Sequence, residues 1–143
     1  MSLRILLVDD NRTFLTAVKQ YLAMLSDTKV VGLAYDGPDA LAQAKALQPD
    51  LVLLDIMMPH MNGLEVAALM QSWSPVPRIL FLSLHNNAFY RAAAAELGAV
   101  ALVDKANFVA ELMPIVAQLA ADLAARQAAA PAPRPPPMTE TTP

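Results

Sequence analysis

The sequence predicts an α/β fold: a doubly wound, five-stranded parallel sheet flanked by five helices. Two observations carry this. Short apolar runs of strand length alternate along the chain with stretches patterned like amphipathic helices. Four of the runs lead into polar residues: Asp9-Asp10 after Leu3–Val8, Asp55 after Leu51–Leu54, Ser83 after Ile79–Leu82, and Lys105 after Val100–Val103. In an open parallel sheet the carboxyl ends of the strands share one edge, where ligands bind. Three carboxylates, a hydroxyl and an ammonium are therefore expected to converge there.

Each element has its own signal. Ile5-Leu6-Leu7-Val8 is continuously apolar, as a parallel strand covered on both faces should be. Asn11 suits the N-cap of a first helix, in which Phe14, Leu15, Val18, Tyr21, Leu22 and Leu25 recur at helical spacing. Val30 to Tyr35 reads as strand two. Asp36-Gly37 signals a turn, Pro38 suits a first helical turn, and Ala40, Leu41, Ala44 and Leu47 mark helix two. Strand three is Leu51–Leu54. The loop after Asp55 contains Pro59, Asn62 and Gly63, and Leu64 to Trp73 reads as helix three. Pro75 and Pro77 separate it from strand four, Arg78–Leu82. A fourth helix through Ala88–Leu97 stops at Gly98. Strand five is Val100–Val103. A last helix runs from Asn107 or Phe108 to about Arg126, and Pro114 inside it should kink it.

Composition narrows the classes of function. The chain has 143 residues, 56% of them hydrophobic, enough for one domain with a real core. Its formal net charge of -3 offers no general attraction to nucleic acid. Cysteine is absent, which removes disulfides and thiolate chemistry. No apolar run of the sequence approaches a membrane span, and the opening residues lead directly into a strand, so a cytoplasmic location without membrane attachment is expected. Residues 1–126 form the expected domain. Residues 127–143 are rich in Ala and Pro and read as a linker or disordered tail.

The polar set suggests a chemistry. Adjacent Asp9 and Asp10 are unfavourable neighbours unless a cation compensates them. Hard oxygen ligands suit Mg²⁺, and Asp55 adds a third carboxylate. A carboxylate can also attack phosphorus to form an acyl phosphate. Lys105 would supply positive charge for the phosphoryl oxygens and Ser83 a hydroxyl donor. No residue resembles a strong base for activating water, which favours a phosphorylated state that persists.

With these residues in view, the chain resembles a response-regulator receiver domain of two-component signalling, over about residues 3–125. The resemblance rests on Leu7-Val8-Asp9-Asp10-Asn11, on Asp55-Ile56-Met57-Met58-Pro59 with Met61-Asn62-Gly63-Leu64-Glu65, on Leu82-Ser83, and on Gly98-Ala99 followed by Lys105. It implies a flavodoxin-like fold and phosphorylation of Asp55 by a sensor histidine kinase. It also implies Mg²⁺ held by the side chains of Asp10 and Asp55 and by the Met57 carbonyl, with Asp9 acting through water. Ser83 and Lys105 would grip the phosphoryl oxygens. The spacing is most similar to the NarL/LuxR subgroup. That likeness implies homodimerisation through the first and last helices, and contact with DNA only through a domain absent from this chain.

Three positions depart from the family pattern. Leu102 stands where an aromatic switch residue is common. Leu84 follows the hydroxyl residue where a small side chain is usual, and should restrict access to the phosphate. Ala106 stands where Pro often follows the lysine in a cis peptide. Two other functions compete with the DNA-binding regulator: a standalone receiver, and a Mg²⁺-dependent phosphatase with an aspartyl nucleophile. The phosphatase requires an Asp-x-Asp after the first strand and a cap insertion, whereas this chain has Asp9-Asp10-Asn11 and no such insertion.

Overall fold

Five parallel strands form one sheet in the computed structural model, which describes residues 2–85 and 87–129. They are β1 (Leu3–Val8), β2 (Thr28–Ala34), β3 (Leu51–Asp55), β4 (Arg78–Ser83) and β5 (Ala101–Asp104), in the spatial order β2-β1-β3-β4-β5. This is the doubly wound order in which the winding reverses beside the first strand. The helices are α1 (Arg12–Leu22), α2 (Gly37–Leu47), α3 (Gly63–Met70), α4 (Ala88–Glu96) and α5 (Phe108–Ala129). A single 3₁₀ turn, Lys105–Asn107, joins β5 to α5.

Alternation along the strands divides the interior into two cores. Ile5, Leu7, Leu51, Leu53, Leu80, Leu82 and Val103 face α1 and α5, where Leu15, Val18, Leu112 and Val116 meet them. Leu6, Val8, Val52, Leu54, Ile79 and Phe81 face the other way, onto Ala40, Ala44, Val66, Ala67, Met70 and Ala94 of α2, α3 and α4. Each fully buried Leu, Ile or Phe contributes about 1.5–3 kcal/mol relative to exposure. The continuous apolar runs follow directly: a strand covered on both faces has no solvent side to make polar.

Caps set most helix starts. Asn11, Asp36, Asn62 and Asn87 each accept a hydrogen bond from the backbone N–H three residues on. Gly98 closes the α4 segment with a φ of 71°.

Several boundaries differ from the sequence expectation. The second strand begins at Thr28 rather than Val30, because it pairs with β1 from Leu3↔Thr28 onward, with a register shift between Ile5 and Leu6. The third helix ends at Met70, and Trp73 lies in the following turn, half-buried against the α2–α4 core. The fifth strand is displaced by one residue, to Ala101–Asp104. The last helix passes through Pro114, where Pro114 and Ala110 both lie on the exposed face, and it continues to Ala129, into the expected linker. The remainder of that segment, 130–143, lies outside the described residues.

By length and composition alone, the helical stretch Lys105–Ala128 could cross a membrane, contrary to the expectation from run length. Its Leu112, Val116, Leu119 and Ala120 are buried against the sheet and α1.

Candidate functional site

The four strand-end signals meet at the carboxyl edge of the sheet. Asp9 follows β1 and is fully buried; Asp10, one residue on, is exposed. Asp55 is the last residue of β3 and Ser83 the last of β4, and both are buried. Lys105 enters from the turn after β5. Its ammonium lies 2.6 Å from Asp9 Oδ2 and 3.1 Å from Asp55 Oδ1. One oxygen from each of Asp9, Asp10 and Asp55 lies within 4.8 Å of the others.

Local backbone chemistry fixes these groups. The Asn11 N–H donates to Asp9 Oδ1 at 2.9 Å, and the Met57 N–H approaches Asp55 Oδ1 at 3.3 Å. The loop after Asp55 folds back so that the Gly63 N–H donates to the Ile56 carbonyl at 2.9 Å. A side chain at Gly63 would overlap the Asp55 carbonyl, so this close approach requires glycine. The Ser83 hydroxyl donates to the His85 carbonyl at 3.0 Å and accepts from the His85 N–H at 3.0 Å. It is thus committed to the segment that follows β4.

The electrostatics are those of an anionic pocket short of positive charge. Burial, reinforced by the neighbouring charge of Asp9, pushes the Asp55 carboxyl up from 3.8 to about 7 against the pull of Lys105. Burial also works against the Lys105 charge, but the two carboxylates outweigh it and raise the ammonium above its ordinary 10.5. Asp55 Oδ2 is buried and, among the described residues, accepts no hydrogen bond. One ammonium among three carboxylates leaves the cluster net anionic, with an orphaned hard oxygen. That donor set fits a hard divalent cation such as Mg²⁺, which Asp10, Asp55 and a backbone carbonyl could hold.

Every carboxylate, hydroxyl and ammonium that the sequence marks is therefore found at one edge. The marked departures sit around it. Leu84 is 66% exposed immediately beyond buried Ser83. Leu102 is half-buried and packs into the α2–α4 core. The Lys105–Ala106 peptide is trans, the cis bond among the described residues being Ser74–Pro75, and Lys105 reaches both carboxylates regardless.

Three neighbours escaped the sequence reading. The His85 backbone serves the Ser83 hydroxyl, as above. The Tyr90 hydroxyl lies 3.0 Å from Met57 Sδ, linking α4 to the loop after Asp55. Phe14, read as an ordinary core residue of the first helix, has its ring 5.0 Å from the Lys105 ammonium. Helical spacing alone could not reveal that contact.

Comparison with known proteins agrees with this geometry. The response regulator receiver domain profile matches residues 5–117. The chain is 38% identical over 106 residues to protein-glutamate methylesterase/protein-glutamine glutaminase 1 of Methanosarcina acetivorans, covering 73% of this chain and 30% of that protein. It is 43% identical over 83 residues to the nitrate/nitrite response regulator protein NarL of Escherichia coli, covering 58% of this chain and 38% of that one. This chain thus spans about a third of the length of these curated relatives. Among solved structures, the signal receiver domain of the NarL response regulator from Mycobacterium tuberculosis aligns with a TM-score of 0.74 at 32% identity, covering 87% of this chain and 97% of that one. The response regulator domain of Thermotoga maritima CheB aligns with a TM-score of 0.76 at 29% identity, covering 85% and 98%. With matching topology, a converged strand-edge cluster and a profile spanning most of its length, the chain belongs to the response regulator receiver domain family.

Proposed function

We propose that this receiver accepts a phosphoryl group on Asp55 from a phosphohistidine of a sensor histidine kinase, and that phosphorylation switches its partner binding or dimerisation. The observation that carries the reading is Asp55 Oδ2: a buried carboxylate oxygen with no hydrogen bond, at the sheet edge, beside an ammonium and two further carboxylates.

The chemistry follows from the residues. Asp55 Oδ2 attacks phosphorus, an O–P bond forms, and the N–P bond to the donor imidazole breaks. Mg²⁺, held by Asp10, Asp55 and the Met57 carbonyl with Asp9 acting through water, would neutralise charge on the transferring group. Lys105 exchanges its contact with Asp55 Oδ1 for a phosphoryl oxygen while Asp9 keeps it in reach. Ser83 releases the His85 carbonyl and turns its hydroxyl to another phosphoryl oxygen. That exchange moves the segment after β4 and gives the switch its first step.

The likeness to NarL supports a receiver serving a LuxR-type, DNA-binding transcriptional regulator in the cytoplasm, dimerising through α1 and α5. A second reading has its own support: the likeness to protein-glutamate methylesterases favours a receiver that governs a hydrolase domain. In neither case is the receiver itself an enzyme beyond its own phosphorylation and dephosphorylation.

The test is intact mass after incubation with Mg²⁺ and a small acyl-phosphate donor, for the parent and Asp55→Asn. A single phosphoryl adduct on the parent alone is expected. Adducts on both proteins would transfer the role to another carboxylate. Sedimentation of the phosphorylated chain then separates the two outputs, since the LuxR-type reading expects a dimer.

A further inference from the structure

The Lys105 side chain is nearly enclosed, and carboxylates account for only part of its enclosure. Asp9 and Asp55 lie 2.6 and 3.1 Å from its ammonium, and the ring of Phe14 lies 5.0 Å away, within cation–π range. Only 10% of the lysine side chain is exposed, so the ring acts on a largely desolvated charge, where such contacts are strongest. Phe14 is itself fixed from behind. Its ring meets Phe108 edge to face at 5.2 Å, and Phe108 meets Tyr21 in the same way at 5.5 Å. Phe108 is the first residue of α5, three positions after Lys105, so the rings bridge the lysine's own segment to α1.

We infer that Phe14 is the positioning residue for Lys105. Its ring face fills the side of the ammonium left open by the carboxylates and holds the charge over Asp55. This rests on the phosphoacceptor reading of Asp55 and extends it. The role has a physical reason in this chain. A four-carbon lysine stem is flexible, and the trans Lys105–Ala106 peptide leaves its direction to side-chain contacts. Asp9 alone could anchor the ammonium in several orientations. A ring face against the ammonium removes some of these and favours those that reach Asp55. When the ammonium turns to a phosphoryl oxygen it remains against the same ring, so the contact guides the motion.

The inference is tested with Phe14→Leu and Phe14→Tyr, each in the parent and in Lys105→Met, by the rate of adduct formation from a small acyl phosphate with saturating Mg²⁺. Phe14→Leu should lower the maximal rate by about threefold to tenfold, less than the roughly thirtyfold of a whole desolvated cation–π contact because the ring stays against the ammonium throughout. Phe14→Tyr should restore it. In the Lys105→Met background Phe14→Leu should have no further effect, because a positioning residue acts only through the group it positions. An equal loss in both backgrounds, or no loss in the parent, overturns the inference. A metal-free measurement stands apart from activity: the Lys105 Cε protons should show an upfield ring-current shift that vanishes in folded Phe14→Leu. Absence of that shift in the parent also overturns the inference. Failure of the parent to form any adduct, with the shift present, would instead overturn the phosphoacceptor reading.

Discussion

Lys105 lies closer to Asp9 than to Asp55: its ammonium is 2.6 Å from Asp9 Oδ2 and 3.1 Å from Asp55 Oδ1. The lysine is thus anchored by the carboxylate assigned no covalent role, and also reaches the proposed phosphoacceptor. Removing Asp55's charge leaves the lysine paired, whereas removing the lysine leaves two buried carboxylates without a counter-charge.

Lys105→Met should therefore destabilise the metal-free protein by about 3 kcal/mol, the usual cost of stranding a buried charge. Denaturant unfolding in EDTA and in Mg²⁺ checks this. The deficit should shrink in Mg²⁺, since a cation held by the same carboxylates favours the folded state. Parent-like stability in EDTA would mean that the ammonium does not compensate the cluster.

The raised Asp55 carboxyl gives stability a definite pH slope. Its folded value of about 7 exceeds its ordinary 3.8, so between these limits the folded state holds a proton that the unfolded chain has lost. Metal-free stability should fall as pH rises from about 4 to about 7 and then level. Asp55→Asn should remove that component and raise Tm near pH 8 by a few degrees, as a gain of about 1 kcal/mol would. Thermal melts in EDTA across this range decide it; a slope unchanged in Asp55→Asn would assign the titration elsewhere.

Leu84 is 66% exposed directly after buried Ser83, where the family pattern has a small side chain. The phosphorylated parent should decay slowly, and Leu84→Ala should shorten its half-life several-fold. Loss of the adduct mass with time measures it. Equal half-lives would acquit Leu84.

Gly63→Ala places a methyl group on the Asp55 carbonyl. Relief requires moving the end of β3 at Asp55 or the loop after it that carries Met57, so a loss of about 1–3 kcal/mol is expected, together with slower phosphorylation. Normal stability with normal phosphorylation would show that the loop yields without disturbing the site.

The convergence of Asp9, Asp10, Asp55, Ser83 and Lys105 was legible because parallel strands buried on both faces must place their ends at one edge, so a polar residue closing an apolar run is located by topology alone. Asn11 and Gly98 were legible because cap chemistry is local. Other features depended on distant partners. Thr28 and Lys29 carry no apolar signal, and join the second strand through pairing with Leu3 and Arg4. The Ser83–His85 clasp depends on the turn after β4. Phe14 is spaced like any core residue of a helix, and its place over Lys105 emerges only when α1 and the turn after β5 are packed together. The trans peptide at Lys105 was legible from its neighbour, because a cis bond before a residue other than proline costs about 2.5–4 kcal/mol.

The division of the interior into two cores has a further consequence. Lys105 and Phe14 belong to the α1–α5 side of the sheet, whereas Leu102 and the Tyr90–Met57 link belong to the α2–α4 side. The strand-edge cluster thus borders both cores. Leu102 offers no aromatic ring on one side of the sheet, whereas Phe14, Phe108 and Tyr21 form a ladder of three rings on the other, so the strand that leads to Lys105 turns an aliphatic side chain to one surface while the lysine itself meets aromatic rings toward the opposite one.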